Sequence, residues 1–260
     1  MKIISLIKQV PDTKDQRFSS DFLIVREGLD LICNPSDEYV IEESVRLKEK
    51  FSAETLALSM GKEKAMDLLR FAISVGVDKG VLISDTAFTG SDLLATALTL
   101  AKGIEKCGPF DLILAGKQSS DGENGIIPAA IAECLNLPFV MDVRKIIDIK
   151  DGCARVEQMG VGGAYEVEVR LPAVLSVVKE INEPRLPSLK GKMTSKSAQI
   201  PVWTVKDLGL DPSQVGGAGA KTKVISAQEP PKKSGVKIFS GTAEEAVNQL
   251  IKELLEKKLI

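Results

Sequence analysis

Histidine is absent from this 260-residue chain. That excludes His-based triads, imidazole general bases and His metal ligands together. Aromatic residues are scarce, at 4%, so Val, Ile, Leu and Ala must form most of the core. Cysteine is limited to Cys33, Cys107, Cys134 and Cys153, with no C-x-x-C pair. Such spacing suits neither a zinc site nor a disulfide frame, and reads as buried or free thiols of a reducing compartment. No apolar run approaches the length of a membrane span. The opening MKIISLIKQVPDT holds too short an apolar run for a signal peptide and lacks the Arg/Ser pattern of a transit peptide. A cytoplasmic location is the expectation. The formal charge is -2, with both signs mixed along the chain. Nucleic-acid binding would need a basic face, and none is indicated.

What is present suits a soluble α/β protein large enough to bury a full core. Mostly apolar, β-rich runs lie at 3–8, 55–60, 80–84 and 111–115, separated by helical patterns at 37–50, 62–75, 91–106 and 125–136. Strands of this kind alternating with helices imply parallel pairing covered on both faces. The expected fold is a doubly wound, mostly parallel Rossmann-like sheet, with ligands beyond the carboxyl ends of its strands. After Met141 the period changes. Alternation at 142–149, 154–158 and 165–170, with turns at 151–152 and 160–163, predicts an antiparallel extension, and 173–178 a further buried strand. From Asn182 to about Gly235 the chain is rich in Pro, Gly, Lys and Ser, too long for an ordinary connection. It is either a flexible tail or an arm ordered against another subunit. The end, 236–260, is expected to be a short strand followed by an amphipathic helix. Thr242 and Glu245 form a capping box, and Ala243, Ala246, Val247, Leu250, Ile251, Leu254 and Leu255 share one stripe. These changes divide the chain at 1–181, 182–235 and 236–260.

The segment DLILAGKQSSDGENGIIPAAIA (111–132) runs from strand through polar loop to helix. Such a unit aims backbone N–H groups and a helix dipole at one spot, a natural anion site. Gly116 ends its strand, Lys117 adds positive charge, and Ser119, Ser120 and Asn124 offer donors. It has neither Walker nor G-x-G-x-x-G spacing, and an ordinary polar turn is the alternative. A second loop, SDTAFTGSD (84–92), offers Ser84, Ser91 and Asp92 at the same end of the sheet, either to a ligand or merely as helix caps. Asn34-Pro35-Ser36-Asp37 precedes a helix with Ser36 as the expected cap, and Asn34 could contact an adenine edge or make a turn. Lys8, in KQVPD, stands where the first strand ends. In INEPRLPSLKGKM (181–193), Pro184 and Pro187 bracket Arg185 and Leu186, followed by Leu189 among lysines. This is either a docking anchor or a surface turn. No residue is assigned as catalytic, and no metal site is expected.

Taken in order, KQVPDT, NPSDEYVIEESVRLKEK, SDTAFTGSDLLAT, DLILAGKQSSDG, LPAVLSVV and NEPRLPSLKGKM resemble the β subunit of electron-transfer flavoproteins. They are closer to the electron-bifurcating type than to the mitochondrial type. The resemblance implies a heterodimer whose α subunit carries the redox-active FAD in a mobile domain, gripped by the arm and final helix of this chain. It further implies a nucleotide held here: structural AMP, or in bifurcating members a second FAD that takes hydride from NADH. Carried over by motif, the site comprises Leu6, Asn34, Pro35, Ser36, Asp37, Met60, Thr96 and the AGKQ loop through Gln118, Ser119, Ser120, Asp121, Gly122, Asn124, Gly125, Ile126 and Ile127. Where relatives carry a Gln and a hydroxyl facing the phosphates, this chain has Ile126 and Ile127, followed by Pro128, and Thr86 stands where an Arg is usual. An empty nucleotide site is therefore a further possibility. The NEPR-x-x-x-L loop implies that Leu189 anchors a flavin-dependent dehydrogenase, such as an acyl-CoA or 2-hydroxy acid dehydrogenase. The rival class is an adenine-nucleotide-sensing α/β binding module without a redox role.

Overall fold

The computed structural model describes residues 1–12, 19, 25, 27–226 and 235–260. In chain order the elements are β1 (Lys2–Leu6), β2 (Gln9–Pro11), β3 (Leu31–Cys33), α1 (Pro35–Phe51), β4 (Glu54–Met60), α2 (Met66–Val75), β5 (Lys79–Ile83), α3 (Leu93–Lys106), β6 (Leu112–Gly116) and α4 (Ile127–Leu135). Then follow β7 (Phe139–Lys150), β8 (Cys153–Gly160), β9 (Gly163–Arg170), β10 (Ala173–Val177), α5 (Leu189–Ser197), β11 (Val202–Trp203), the single turn α6 (Gly216–Gly219) and α7 (Ala243–Glu256).

Nine strands form one sheet in the order β11-β5-β4-β1-β6-β10-β7-β8-β9. Pairing is parallel from β11 through β7, and antiparallel between β7, β8 and β9. The central strands are apolar at successive positions because helices cover both faces. Thus Ile3 and Ile4 of β1, and Leu112, Ile113 and Leu114 of β6, are all fully buried. On one face Leu58, Ile83 and Ile113 pack against Leu100 and Ile104 of α3 and Ile131 of α4. On the other, Ile7, Ala57 and Leu82 meet Ile41 and Val45 of α1 and Leu69 and Ala72 of α2. Each such aliphatic side chain contributes about 1.5–3 kcal/mol by leaving water.

The antiparallel extension is not a flap. Asp142 has φ 53°, and the β7 register slips between Val143 and Lys145 and again between Ile146 and Asp148. Bulges of this kind bend a strand. Ile146, Ile149, Val156 and Val167 then pack with Leu47, Phe51 and Ala53 at the end of α1.

The chain after Asn182 is more ordered than its composition suggests. It forms α5, and β11 joins the sheet beside β5. One compact unit accordingly runs Met1–Val224, and a second covers Ile225–Ile260. Positions 227–234 of the expected arm lie outside the described residues. Within the second unit residues 235–242 form no strand, against expectation, because no strand among the described residues pairs with them. Helix α7 carries the expected capping box, Thr242 N–H donating to Glu245 Oε2 at 2.8 Å. None of its residues is buried, and Val247, Leu250, Ile251 and Leu255 of its apolar stripe are exposed. No helix among the described residues is long and apolar enough to cross a membrane.

Candidate functional site

The site forms where β1, β4 and β6 end, because parallel strands deliver their carboxyl ends, and the loops that follow, to one edge. Lys8 follows β1, Met60 ends β4 and Gly116 ends β6. The α1 start packs against Gly116 so closely that a Cβ there would overlap Asp37 Oδ1.

Asn34 precedes α1 without capping it, and the expected cap Ser36 lies inside the first turn. Pro35 at the helix start has no N–H to satisfy, the Asp37 N–H donates to the Asn34 carbonyl at 2.8 Å, and the Asn34 side chain bonds elsewhere. Its amide donates to the Gln118 carbonyl at 3.0 Å, and its oxygen accepts the Ser120 N–H at 3.0 Å. Both ends of the amide are therefore spent tying the β6–α4 loop to α1.

Asp37 is also turned inward. It is buried, and its Oδ2 accepts the Lys8 N–H at 2.7 Å. Burial pushes its pKa up to about 7, against the opposing pull of Asn34 and of the Lys8 and Gly116 N–H groups. Asp37 thus clamps three chain segments at one point.

Lys8 reaches the same loop from β1. Its Nζ lies 2.5 Å from Asp121 Oδ1, whose side chain is only 1% exposed, and 3.3 Å from Ser119 Oγ. Lys117 pairs with Asp142 at 3.0 Å. Asp142 was invisible in the sequence, since no local pattern links a bulged β7 residue to a loop 25 positions earlier. The loop turns through Glu123 (φ 49°) and Gly125 (φ 63°), and Asn124 Oδ1 accepts the Ile126 N–H at 3.1 Å. It then enters α4, with Pro128 in the first turn. Ile126 is exposed there and Ile127 half-buried.

The structure therefore gathers Lys8, Asn34, Asp37, Gly116, Gln118, Ser119, Ser120 and Asp121 through direct bonds. Leu6 lies buried in β1, paired with Leu58 and Ala115. The second loop is used differently. The Ser84 N–H donates to the Trp203 carbonyl at 2.9 Å, and Ser91 Oγ to the Phe88 carbonyl at 2.8 Å. Asp92 caps α3 through the Ala95 N–H at 2.9 Å, and its other oxygen accepts from the backbone of Lys221 and Thr222 at 2.7 and 2.9 Å. Burial pushes the Asp92 carboxyl up, but these N–H groups outweigh it and hold the group below the usual range. Thr96 stands in the first turn of α3. Ser84, Ser91 and Asp92 thus tie β5 and the start of α3 into their own loop and to the 203–222 segment.

Could the cluster hold a nucleotide? Lys8, the Ser119 hydroxyl and the start of α4 supply what a phosphate requires, with Lys117 next to Gln118 in the chain. Ile126 is exposed at the helix start, while Met60 and Ile127 pack against the core. The residues present fit such a group, with one qualification of chemistry. Both lysines already face carboxylates, so a phosphate would share Lys8 with Asp121.

The INEPR segment sits apart, against the outer side of α1. Arg185 Nε and Nη2 reach Glu42 at 2.8 and 3.1 Å, and Nη1 and Nη2 reach Glu49 at 2.5 and 3.0 Å. Leu186 and Leu189 are 88% and 78% exposed. The acceptors Glu42 and Glu49 are singled out by no motif of the sequence. Their spacing of seven, which places both on one helix face, was the available signal.

A family profile described as "Electron transfer flavoprotein domain" matches residues 21–208. The chain is 37% identical over 262 residues to an electron transfer flavoprotein subunit beta of Thermoanaerobacterium thermosaccharolyticum, covering 100% of both chains. It is 37% identical over 266 residues to the Mycobacterium tuberculosis protein of the same description, covering 99% of each. It is 36% identical over 263 residues, again covering 100% of both, to the caffeyl-CoA reductase-Etf complex subunit CarD of Acetobacterium woodii. With the sheet, the β6–α4 loop and the NEPR segment already placed, these full-length matches establish that the chain belongs to the electron transfer flavoprotein family, among its beta subunits.

Proposed function

We propose that this chain is one half of a heterodimeric electron transfer flavoprotein, passing electrons between NADH or a flavin dehydrogenase and further acceptors. The observation that carries the reading is the end-to-end match to beta subunits and to a subunit of a reductase–Etf complex. The partner is an α subunit carrying FAD, and the exposed stripe of α7 is the surface that grips it. Where Lys8, Asn34 and the 117–127 loop meet, the chain holds an adenine nucleotide, AMP or a second FAD. A bound flavin would supply the electron chemistry. The protein's own share is positioning and electrostatics: Lys8, Lys117 and Ser119 orient the phosphate, and Asp37 fixes the backbone behind them. Electron bifurcation is the form favoured by the KQVPDT and EPR-x-PSLKG segments.

The test is to purify the chain co-expressed with its α subunit and count flavin and AMP per heterodimer. Two flavins support bifurcation, and one flavin with AMP supports simple transfer. One flavin without AMP removes the nucleotide from this site. A colourless, monomeric chain with no companion overturns the whole reading.

Leu189 is proposed to enter a pocket of the dehydrogenase. Truncating such an anchor typically costs about 2 kcal/mol, so Leu189→Ala should raise the KM for a substrate-reduced acyl-CoA dehydrogenase roughly 30-fold with kcat unchanged.

A further inference from the structure

The docking surface is exposed, yet it does not hang free. Going toward it from β10, Asn182 Nδ2 donates to the Tyr39 carbonyl and to Glu43 Oε2, both at 3.0 Å. Arg46 donates to the Glu183 carbonyl at 3.3 Å. Arg185 then makes its fork to Glu42 and Glu49, and its own N–H donates to Glu42 Oε2 at 3.2 Å. On the far side Ser188 caps α5 through the Gly191 N–H at 2.9 Å. Gly191 lies against the Ser74 carbonyl of α2 so closely that a Cβ would overlap it. Arg70 donates to the carbonyls of Ser195 and Lys196 at 2.5 and 3.1 Å. Leu186 and Leu189 are the apolar crest between these two anchorages, with Lys190, Lys192 and Lys196 exposed around them.

A fork to two carboxylates is the most orientation-specific ion pair available to a side chain. Burial pushes the Glu42 carboxyl up, but Arg185 and Arg46 outweigh it and hold it below the usual range. Glu42 also holds Arg46 at 2.6 Å, so a second cation faces it besides Arg185. The fork itself ties the crest to α1. A loop with two exposed leucines and no tether would lose much of its docking energy to ordering on binding.

We propose that Arg185 is a positioning residue: by bridging Glu42 and Glu49 on α1 it pre-shapes the Leu186–Leu189 crest for a flavin dehydrogenase whose apolar pocket is rimmed by carboxylates. The lysines supply the complementary charge and would steer the encounter. The proposal rests on the docking reading of Leu189 and refines it.

The experiment uses the co-purified heterodimer with Arg185→Met, Arg185→Lys, Glu49→Gln and Leu189→Ala. Amide hydrogen exchange is followed over residues 183–197, and KM and kcat are measured for substrate-reduced acyl-CoA dehydrogenase. Arg185→Met should speed exchange at 186–190 and raise KM roughly tenfold at unchanged kcat. Arg185→Lys should fail to restore either, because a single ammonium cannot span both carboxylates, and Glu49→Gln should fall between. If Leu189→Ala raises KM while Arg185→Met leaves exchange and KM unaltered, the positioning role is wrong and the docking reading stands. An unaltered KM in Leu189→Ala overturns the docking reading, and the role of Arg185 with it.

Discussion

Gly116→Ala is expected to destabilise the chain by about 3 kcal/mol and to weaken the proposed nucleotide binding. The new Cβ would overlap Asp37 Oδ1, and would come 2.9 Å from Ser36 Cβ and 3.1 Å from the Ser36 carbonyl carbon. Neither neighbour can yield cheaply. Asp37 is held by the Lys8 N–H at 2.7 Å, and the helix start is tied to the 118–120 backbone by Asn34. Relief must come from moving the first turn of α1, which would pull the β6–α4 loop with it. Gly122→Ala is the matched control. Its Cβ would meet only Ser119 Oγ, at an ordinary 3.5 Å, and stability should change by less than about 0.5 kcal/mol. Urea denaturation of both variants decides the matter. Equal midpoints would mean that the α1 start is free to shift.

A second large effect is expected along the pH axis, and its sign is unusual for a carboxylate. Burial raises Asp37 to about 7 in the folded chain, against ~3.9 when unfolded. Between these values the folded state holds a proton that the unfolded state has released, so stability falls as pH rises. The loss runs at up to about 1.4 kcal/mol per pH unit and totals on the order of 4 kcal/mol across the window. It is complete once pH passes the folded value. Glu43 is also raised by burial, whereas Glu42 and Asp78 are lowered despite burial by their cationic partners. The total profile is therefore mixed, and the informative quantity is a difference. Asp37→Asn keeps one acceptor oxygen but turns an amide toward donors, so it loses a fixed amount at every pH. Wild-type stability minus that of the variant should decline from pH 4 to pH 7. Two parallel curves would show that Asp37 does not take up a proton there.

The parallel sheet was legible because its strands are short, apolar and β-rich, and the helices between them carry clear stripes. Most boundaries moved by one or two residues, but α2 starts four residues later than expected, at Met66, and β7 three earlier, at Phe139. Pro35 starts α1 earlier than Asp37, and Pro128 sits in the first turn of an α4 that begins at Ile127 rather than Gly125. Other elements left no periodic trace. β2, β3 and β11 span two or three residues each. α5 is a lysine-rich helix with only Ser195 buried, held by Gly191 against α2 and by Arg70, contacts that arise only in three dimensions. The site was legible as loops and not as bonds. Lys8 and Asp121 lie 113 positions apart, and nothing near either residue announces the other. The loop at 84–92 shows the converse. Its Ser and Asp residues matched a ligand loop by composition, and the fold spends them on caps and on the 203–222 segment.

The two residues of β11 have a bearing on solubility. The Leu82 N–H donates to the Pro201 carbonyl at 3.0 Å and the Ser84 N–H to that of Trp203 at 2.9 Å, which occupies the outer margin of β5. Without them β5 would offer a bare ladder of donors and acceptors to any passing strand, the usual template for edge-to-edge aggregation. A chain ending at Ile200, which loses this edge and with it the core residues Leu208, Leu210 and Val215, should therefore cluster in light scattering at concentrations where the whole chain stays dispersed. Seen this way, the Pro- and Lys-rich stretch that looks like a loose tail acts as the selvedge of the sheet.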